Sequence, residues 1–370
     1  MNLKKNNEVS LLFFFKKGRK ERLIENKKFP SEFLYGYKEL EKEGYNVHIL
    51  EEVDMSLQIK NYYFIKIINL TSKIMFNFPI KLVLEFLLNK TYKQLNLANT
   101  VITTTNSIGV SLSFLKAIGL VKSKIVFIYM GLLNKKPNFF KFYILKYIFR
   151  KVEFLTISKE EYKFLKSLFL GCKVKYLPFG VDKEFWLPNP KTKKSDPYVL
   201  AVGNDLARDW ELLISSWEEG FPNLKIISSL PINNLKKNIQ IIKGNWHSKT
   251  LTDEEMRDLY CNSEFIIIPL KETLQPSGQS TCLQAMSCAK AVIMSKVKGI
   301  WDDNLMKHKE NVFFIRSGNR LDLKNSVKTL VDDIDLRESL ERGGRNLIIS
   351  NFNSLNMAYH LKSYFFGKEY

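Results

Sequence analysis

The sequence is short of the residues that hold metals and staple small folds. Its 370 residues contain four cysteines, Cys172, Cys261, Cys282 and Cys288, and no two form a CxxC pair. Neither a disulfide framework nor a zinc site is written in that spacing. The four histidines, His48, His247, His308 and His360, stand singly. No structural metal is expected, and a reducing compartment is. Acidic residues are also scarce, 38 Asp+Glu against 57 Lys+Arg, a formal net charge of +19. No run is apolar enough to span a bilayer, which takes about 20 mostly apolar residues. The greasy region from Tyr62 to Leu88 is interrupted by Lys66, Lys73, Lys81 and Glu85. The apolar run Val9–Phe15 leads into Lys16, Lys17, Gly18, Arg19 and Lys20 instead of a small-residue cleavage site. It reads as a buried first strand, not as a signal peptide. Short-period repeats and low-complexity tracts are missing too. The expectation is a cytoplasmic protein whose contact with a membrane, if any, is peripheral, at its inner face.

What the chain does have is length enough for two domains and a composition that is globular, 45% hydrophobic and 26% charged. The positive charge is lopsided. Residues 1–190 carry 32 basic and 16 acidic side chains; residues 191–370 carry 25 and 22. A polyanionic partner is therefore sought for the first half: nucleic acid, an anionic membrane or a phosphate-bearing substrate.

Short apolar runs alternate with helical patterns. Strands are expected at Val9–Phe15, Asn46–Leu50, Val101–Thr104, Lys124–Tyr129, Glu153–Ile157 and Val174–Leu177. A second series falls at Tyr198–Val202, Leu224–Ser228, Ile239–Ile242, Phe265–Pro269, Ala291–Met294 and Val312–Ile315. Phe33–Lys42, Ser107–Ala117, Phe139–Arg150 and Lys159–Leu168 are periodic enough for helices between the strands of the first series. Such alternation implies α/β architecture with parallel sheets covered on both faces. Leu187–Pro197, with three prolines among lysines and polar residues, reads as a linker. The expected layout is an N-terminal domain at 1–187 and a C-terminal domain at 198–350. A last helix at 351–370 could pack back on the first domain. Ligands of doubly wound sheets bind beyond the carboxyl ends of the strands, here in a cleft expected between the domains.

The most informative stretch is PSGQSTCLQAMSCAKAVIM, Pro276 to Met294. A strand and a polar loop lead into Ser277, Gly278, Gln279, Ser280 and Thr281, which open a helix. A glycine at such a turn lets the backbone approach a ligand, and the first helical turn offers free N–H groups to an anion. The hydroxyls of Ser277, Ser280 and Thr281 can add donors. The same residues could equally do no more than cap a helix.

This stretch resembles the nucleotide-sugar signature of group 1 (family 4) glycosyltransferases, through Gln284, Ala285 and Met286 and then Ala291, Val292 and Ile293. Upstream, VKYLPFGVDKEF resembles a family segment through Gly180, Val181, Asp182 and Phe185. YVLAVGNDLARDW, Tyr198 to Trp210, resembles the family's Val-Gly turn with a basic residue beyond it. The window Thr252–Pro269 resembles the helix and strand before the signature. The ordered likeness spans roughly residues 150–350; residues 1–150 share the layout only weakly.

The resemblance implies a GT-B fold, two Rossmann-like doubly wound domains facing a cleft, with the donor sugar nucleotide held by the C-terminal domain and a saccharide or lipid-linked acceptor by the N-terminal one. It implies a metal-independent, retaining, hexosyl-type transferase with no cofactor beyond the nucleoside-diphosphate sugar, at work in surface polysaccharide or glycolipid synthesis. Arg208 becomes the candidate cation for the diphosphate, and Gln284 the second residue of the catalytic pair. Gly203, Asn204, Ser277, Gly278, Gln279, Ser280 and Thr281 become the binding set. Arg208 could instead be a loop charge paired with Asp205 and Asp209.

Three departures stand out. Gln284 occupies a position where the family carries glutamate, and Pro276 stands at the partner position eight residues earlier. Tyr129, Met130 and Gly131 stand where the family commonly has a histidine. Glu272 is the nearest acid upstream, and Trp246 and His247 lie where a base could be held. A sugar-nucleotide or saccharide binding protein that has lost catalysis is the alternative reading.

From Lys116 to Lys151 nine Lys or Arg occur and no acid. Within that stretch Phe139, Phe140, Phe142, Tyr143, Tyr147 and Phe149 share a helical pattern with Lys141, Lys146 and Arg150, and Pro137 could begin the helix. The pattern suits an anionic membrane surface, and equally a helix packed on the sheet with its lysines solvated. Single-stranded nucleic acid ranks third, with no recognition motif to support it.

Overall fold

The computed structural model describes residues 10–23, 29–54, 67, 70–72, 78–189, 197–233, 236–244 and 250–367. Val9, most of the proline-bearing stretch and the pair Trp246 and His247 lie outside the described residues. The chain forms two compact units. One comprises Met1–Lys27, Phe33–Leu177 and His360–Tyr370; the other comprises Lys28–Glu32 and Pro178–Tyr359.

The first unit is built on a six-stranded parallel sheet: β1 Leu11–Phe15, β2 Val47–Glu51, β3 Thr100–Thr103, β4 Lys124–Tyr129, β5 Val152–Thr156 and β6 Lys173–Tyr176. The strands lie in the order β2-β1-β3-β4-β5-β6. β1, LLFFF, is buried at every position, as a strand covered on both faces requires. Its helices are α1 Tyr37–Lys42, α2 Ile80–Leu88, α3 Thr91–Leu95, α4 Asn106–Ala117, α5 Phe139–Phe149 and α6 Lys159–Leu168. The helix expected over Phe33–Lys42 is interrupted. A 3-10 turn at Glu32–Leu34 comes first, then Tyr35 (φ 49°) and Gly36 (φ 82°) adopt left-handed backbone, and α1 follows. α4 comes so close to the sheet that a Cβ at Gly109 would sit 2.5 Å from the Phe127 ring. α5 is opened by Asn138, whose side chain accepts from the Lys141 N–H at 3.0 Å, so Pro137 stands just outside it.

The second unit repeats the plan with β7 Tyr198–Val202, β8 Asn223–Ser228, β9 Ile239–Lys243, β10 Ile266–Ile268, β11 Val292–Lys296 and β12 Phe313–Arg316. These are all parallel, in the order β12-β11-β10-β7-β8-β9. Its helices are α7 Trp210–Ser216, α8 Asp253–Asn262, α9 Gln279–Ser287, α10 Arg320–Asp332 and α11 Ile334–Ser350; α12, Ser354–Phe366, comes last. α8 carries a complete capping box between Thr252 and Glu255.

In each sheet the winding reverses once, between β1 and β3 in the first and between β7 and β10 in the second. At such a switch point the two loops diverge to opposite faces and leave a crevice at the carboxyl end of the sheet. The loop after β7 and the loop after β10 are therefore neighbours. They are stitched together by Asp209 N–H to Pro269 C=O at 3.0 Å and by Lys271 N–H to Ala207 C=O at 2.8 Å. Among the described residues no helix is long and apolar enough to cross a membrane.

Candidate functional site

The second unit's switch point gathers Arg208 from the β7 loop with Gly278 and Thr281 from the N-terminus of α9. Arg208 is 4% exposed. Its Nε donates to Val202 C=O at 3.1 Å and its Nη2 to Thr281 Oγ1 at 3.4 Å. Nη1 lies 3.1 Å from Asp205 Oδ2 but is buried without a hydrogen-bond partner. Burial pulls the guanidinium pKa down while Asp205 pulls it up. An arginine stays charged under such opposition.

Two glycines make room for that side chain. A Cβ at Gly203 would collide with Arg208 Nε, and one at Gly278 would lie 2.9 Å from Nη1 and 2.7 Å from Ile268. Gly278, with φ 77°, is also the N-cap of α9. Cys282 N–H closes the first helical bond to Gly278 C=O at 2.9 Å, which leaves the N–H groups of Ser280 and Thr281 without helical acceptors. Ser277 and Gln279 are buried at the same turn and Ser280 is half-buried. Positive dipole, free N–H groups and a buried cation thus meet at one point, which is chemistry for an anion.

Two residues of the predicted set point elsewhere. Asn204 ties the turn to the sheet: its Oδ1 accepts from Ser229 Oγ at 2.9 Å and its Nδ2 donates to Gly244 C=O at 3.1 Å. Gln284 is buried and held at both ends, its Nε2 donating to Glu32 Oε1 at 2.9 Å and its Oε1 accepting from Tyr260 Oη at 3.4 Å. Glu272 spends its carboxylate on the Lys298 N–H at 2.9 Å.

Glu32 is the residue that sequence reasoning missed. It is fully buried in the second unit, and Oε1 also accepts from Trp186 Nε1 at 2.8 Å while Oε2 accepts from Asp182 N–H at 3.2 Å. Asp182 returns the contact by accepting from Ser31 N–H at 3.0 Å. Burial pushes the Glu32 carboxyl up to about 7, against the lowering effect of these hydrogen bonds. A carboxylate therefore stands beside position 284, supplied from 252 residues earlier in the chain. Glutamine is the side chain that can donate to it; a second carboxylate there would repel it. The only trace in the sequence was the glutamine itself.

In the first unit, the turn that lacks a histidine is braced by other groups. Gly131 N–H donates to Glu161 Oε1 at 2.6 Å, and Asn106 Nδ2 donates to Met130 C=O at 3.0 Å. Burial pushes Glu161 up to about 8. Of the described histidines, His308 accepts from Phe314 N–H through Nδ1 at 3.0 Å, a structural role. Among the described residues no group of three or more His, Cys, Asp or Glu could hold a metal ion.

No protein-family model and no curated protein matches the sequence. Solved structures do. A glycosyltransferase from Rickettsia africae is similar over 97% of this chain and 98% of its own, with a TM-score of 0.64 at 15% identity. Sucrose-phosphate synthase from Thermosynechococcus elongatus aligns over 96% and 98%, with a TM-score of 0.69 at 14% identity. Anabaena HepE in complex with UDP-glucose aligns over 97% and 100%, with a TM-score of 0.67 at 12% identity. At these identities the likeness defines the fold: two doubly wound α/β units of the GT-B kind.

Proposed function

We propose that the protein is a glycosyltransferase that moves a hexosyl group from a nucleoside-diphosphate sugar to a saccharide or lipid-linked acceptor. The observation that carries this reading is the buried Arg208 guanidinium at the N-terminus of α9, between two glycines at a switch point, its Nη1 ion-paired with Asp205 but without a hydrogen-bond partner. A departing diphosphate gains negative charge in the transition state, and fixed donors with a cation stabilise it there. The nearness of the Arg208 guanidinium to the Ser280 and Thr281 N–H groups supports giving them that role, and on this reading the transfer is metal-independent. The fold shared with HepE, solved with UDP-glucose, supports the choice of donor class. Retention of anomeric configuration, action in surface polysaccharide or glycolipid synthesis, and a cytoplasmic site of work at the inner face of the membrane complete the proposal. Calorimetry with UDP and GDP tests its foundation, because absence of detectable binding by either removes the donor site.

A second reading is favoured by one observation, the absence of a free carboxylate at Gln284, whose amide is locked between Glu32 and Tyr260. On that reading the protein binds a sugar nucleotide without transferring it. Turnover of a sugar nucleotide that vanishes in Arg208→Ala, with folding intact, would reject binding alone; the anomeric proton coupling of the product then decides retention.

A further inference from the structure

α5 is apolar around nearly its whole circumference, yet only part of it is covered. Leu145, Ile148 and Phe149 are buried in the first unit's core. Phe139, Phe140, Tyr143 and Tyr147 are 69%, 75%, 51% and 46% exposed, and Ile144 is 37% exposed. Phe140, Tyr143, Ile144 and Tyr147 fall at i, i+3, i+4 and i+7, and Phe139 lies four residues before Tyr143, so the five form one continuous stripe. Beside the stripe opens a cavity of about 450 Å³, lined by Phe78, Phe114, Tyr143, Ile144, Tyr147 and Ile148. That volume is in the range of small-molecule sites, roughly 300–1,000 Å³. Its lining carries hydrophobic and aromatic side chains and no charge.

The charges are arranged around the apolar feature. Lys135, Lys136, Lys146, Arg150 and Lys151 are exposed on or beside α5, with Arg150 stacked over Tyr147 at 4.0 Å. The one acid on the neighbouring α2, Glu85, lies 3.7 Å from Lys81 and is largely buried. An exposed aromatic stripe, an uncharged cavity and unneutralised cations fit one occupant. We propose that α5 docks on an anionic bilayer, its cations on the headgroups, and that the cavity takes the hydrocarbon chain of a single lipid. One hydrocarbon chain alone gives only marginal, reversible anchoring, so the cations are the required second signal. The proposal specifies the membrane contact suggested above but stands apart from glycosyl transfer; either can fail without the other.

The test uses the full chain in two parts. Flotation with vesicles of phosphatidylcholine and phosphatidylglycerol (7:3) should carry the protein, and pure phosphatidylcholine should not. Lys146→Gln should weaken vesicle binding roughly fivefold, and Phe140→Ser with Tyr143→Ser should abolish it while leaving UDP affinity as it is. Calorimetry with monomeric myristate should give a single saturable site, lost in Ile144→Trp, which fills the cavity mouth, and kept in Leu206→Trp at an exposed site in the second unit. Equal flotation with both vesicles, or no saturable myristate site, would overturn the proposal. So would sedimentation showing a dimer that Tyr143→Ser disperses, since a second copy would then cover the stripe.

Discussion

After β1 the backbone N–H groups of Arg19 and Lys20 both donate to Glu51 Oε1, the second at 2.7 Å. After β7, at the matching place in the other sheet, the turn is held by Asn204, and Arg208 Nη1 is ion-paired with Asp205 but makes no hydrogen bond. Both doubly wound sheets generate an anion-binding crevice at the switch point. The first unit fills its own with a carboxylate that accepts from two backbone N–H groups; in the second the internal carboxylate, Asp205, pairs with the Arg208 side chain and leaves the Ser280 and Thr281 N–H groups free of helical acceptors. The half of the chain with 32 basic side chains is thus the one whose switch-point nest is closed. Bulk charge and the candidate anion site fall in different units of this molecule.

That contrast can be broken in a definite order. The largest effect is expected from Gln284→Glu, which sets two carboxyls in one buried site and should cost about 4 kcal/mol at neutral pH. The loss should shrink in acid, where one of them carries a proton. All five tryptophans follow residue 185, so tryptophan fluorescence during urea unfolding reads the second unit. The next largest is the pH dependence of that unit. Glu32 binds its proton more tightly folded than unfolded. Its contribution is therefore fully present below pH 4.5 and is lost as pH rises through about 7. The difference between wild type and Glu32→Gln should change by about 3 kcal/mol over that window. A flat difference would mean that Glu32 is not held as described. In the first unit Glu161 follows the same sign, with the loss extending through about 8.

Arg208→Ala should weaken UDP binding about 100-fold, whereas Lys16→Ala, in the basic loop of the closed crevice, should change it less than twofold. Equal losses from the two, followed by calorimetry, would erase the distinction between bulk charge and site. The smallest effect is expected from Glu51→Ala, which leaves two N–H groups without their acceptor and should cost the first unit about 1–2 kcal/mol. Tyrosine near-ultraviolet absorbance reads it. If the nest is an anion site merely occupied from within, added phosphate should recover part of that loss.

The twelve strands were legible because buried parallel strands are short, nearly uninterrupted apolar runs such as LLFFF and III, which hydrophobicity alone marks. The break at Tyr35 was not, because nothing local forbids a helix through YGYK; tertiary packing imposes the left-handed turn. At the candidate site, Gly203, Arg208, Gly278 and Thr281 were nominated in sequence by glycines beside strand ends and by the family resemblance, and the fold brings them together. Asn204 and Gln284 could not be assigned their partners, since Ser229, Gly244 and Glu32 are distant in the chain. The helical spacing of α5 predicted its existence and both of its faces, but not which residues the core would cover.

The exchange of segments between the units bears on the order in which the chain can complete its fold. The second unit contains Lys28–Glu32, and the first contains His360 onward. A ribosome therefore delivers Lys28–Glu32 well before the rest of the unit it joins, and the segment from His360 well after the rest of its own. Trp186 and Gln284 find their acceptor already made and waiting, whereas Glu153 and Glu43 await Tyr364 and Lys362. The first unit stays incomplete until the second has been synthesised through Tyr359, and separating the chain at the linker would part each unit from one of its segments.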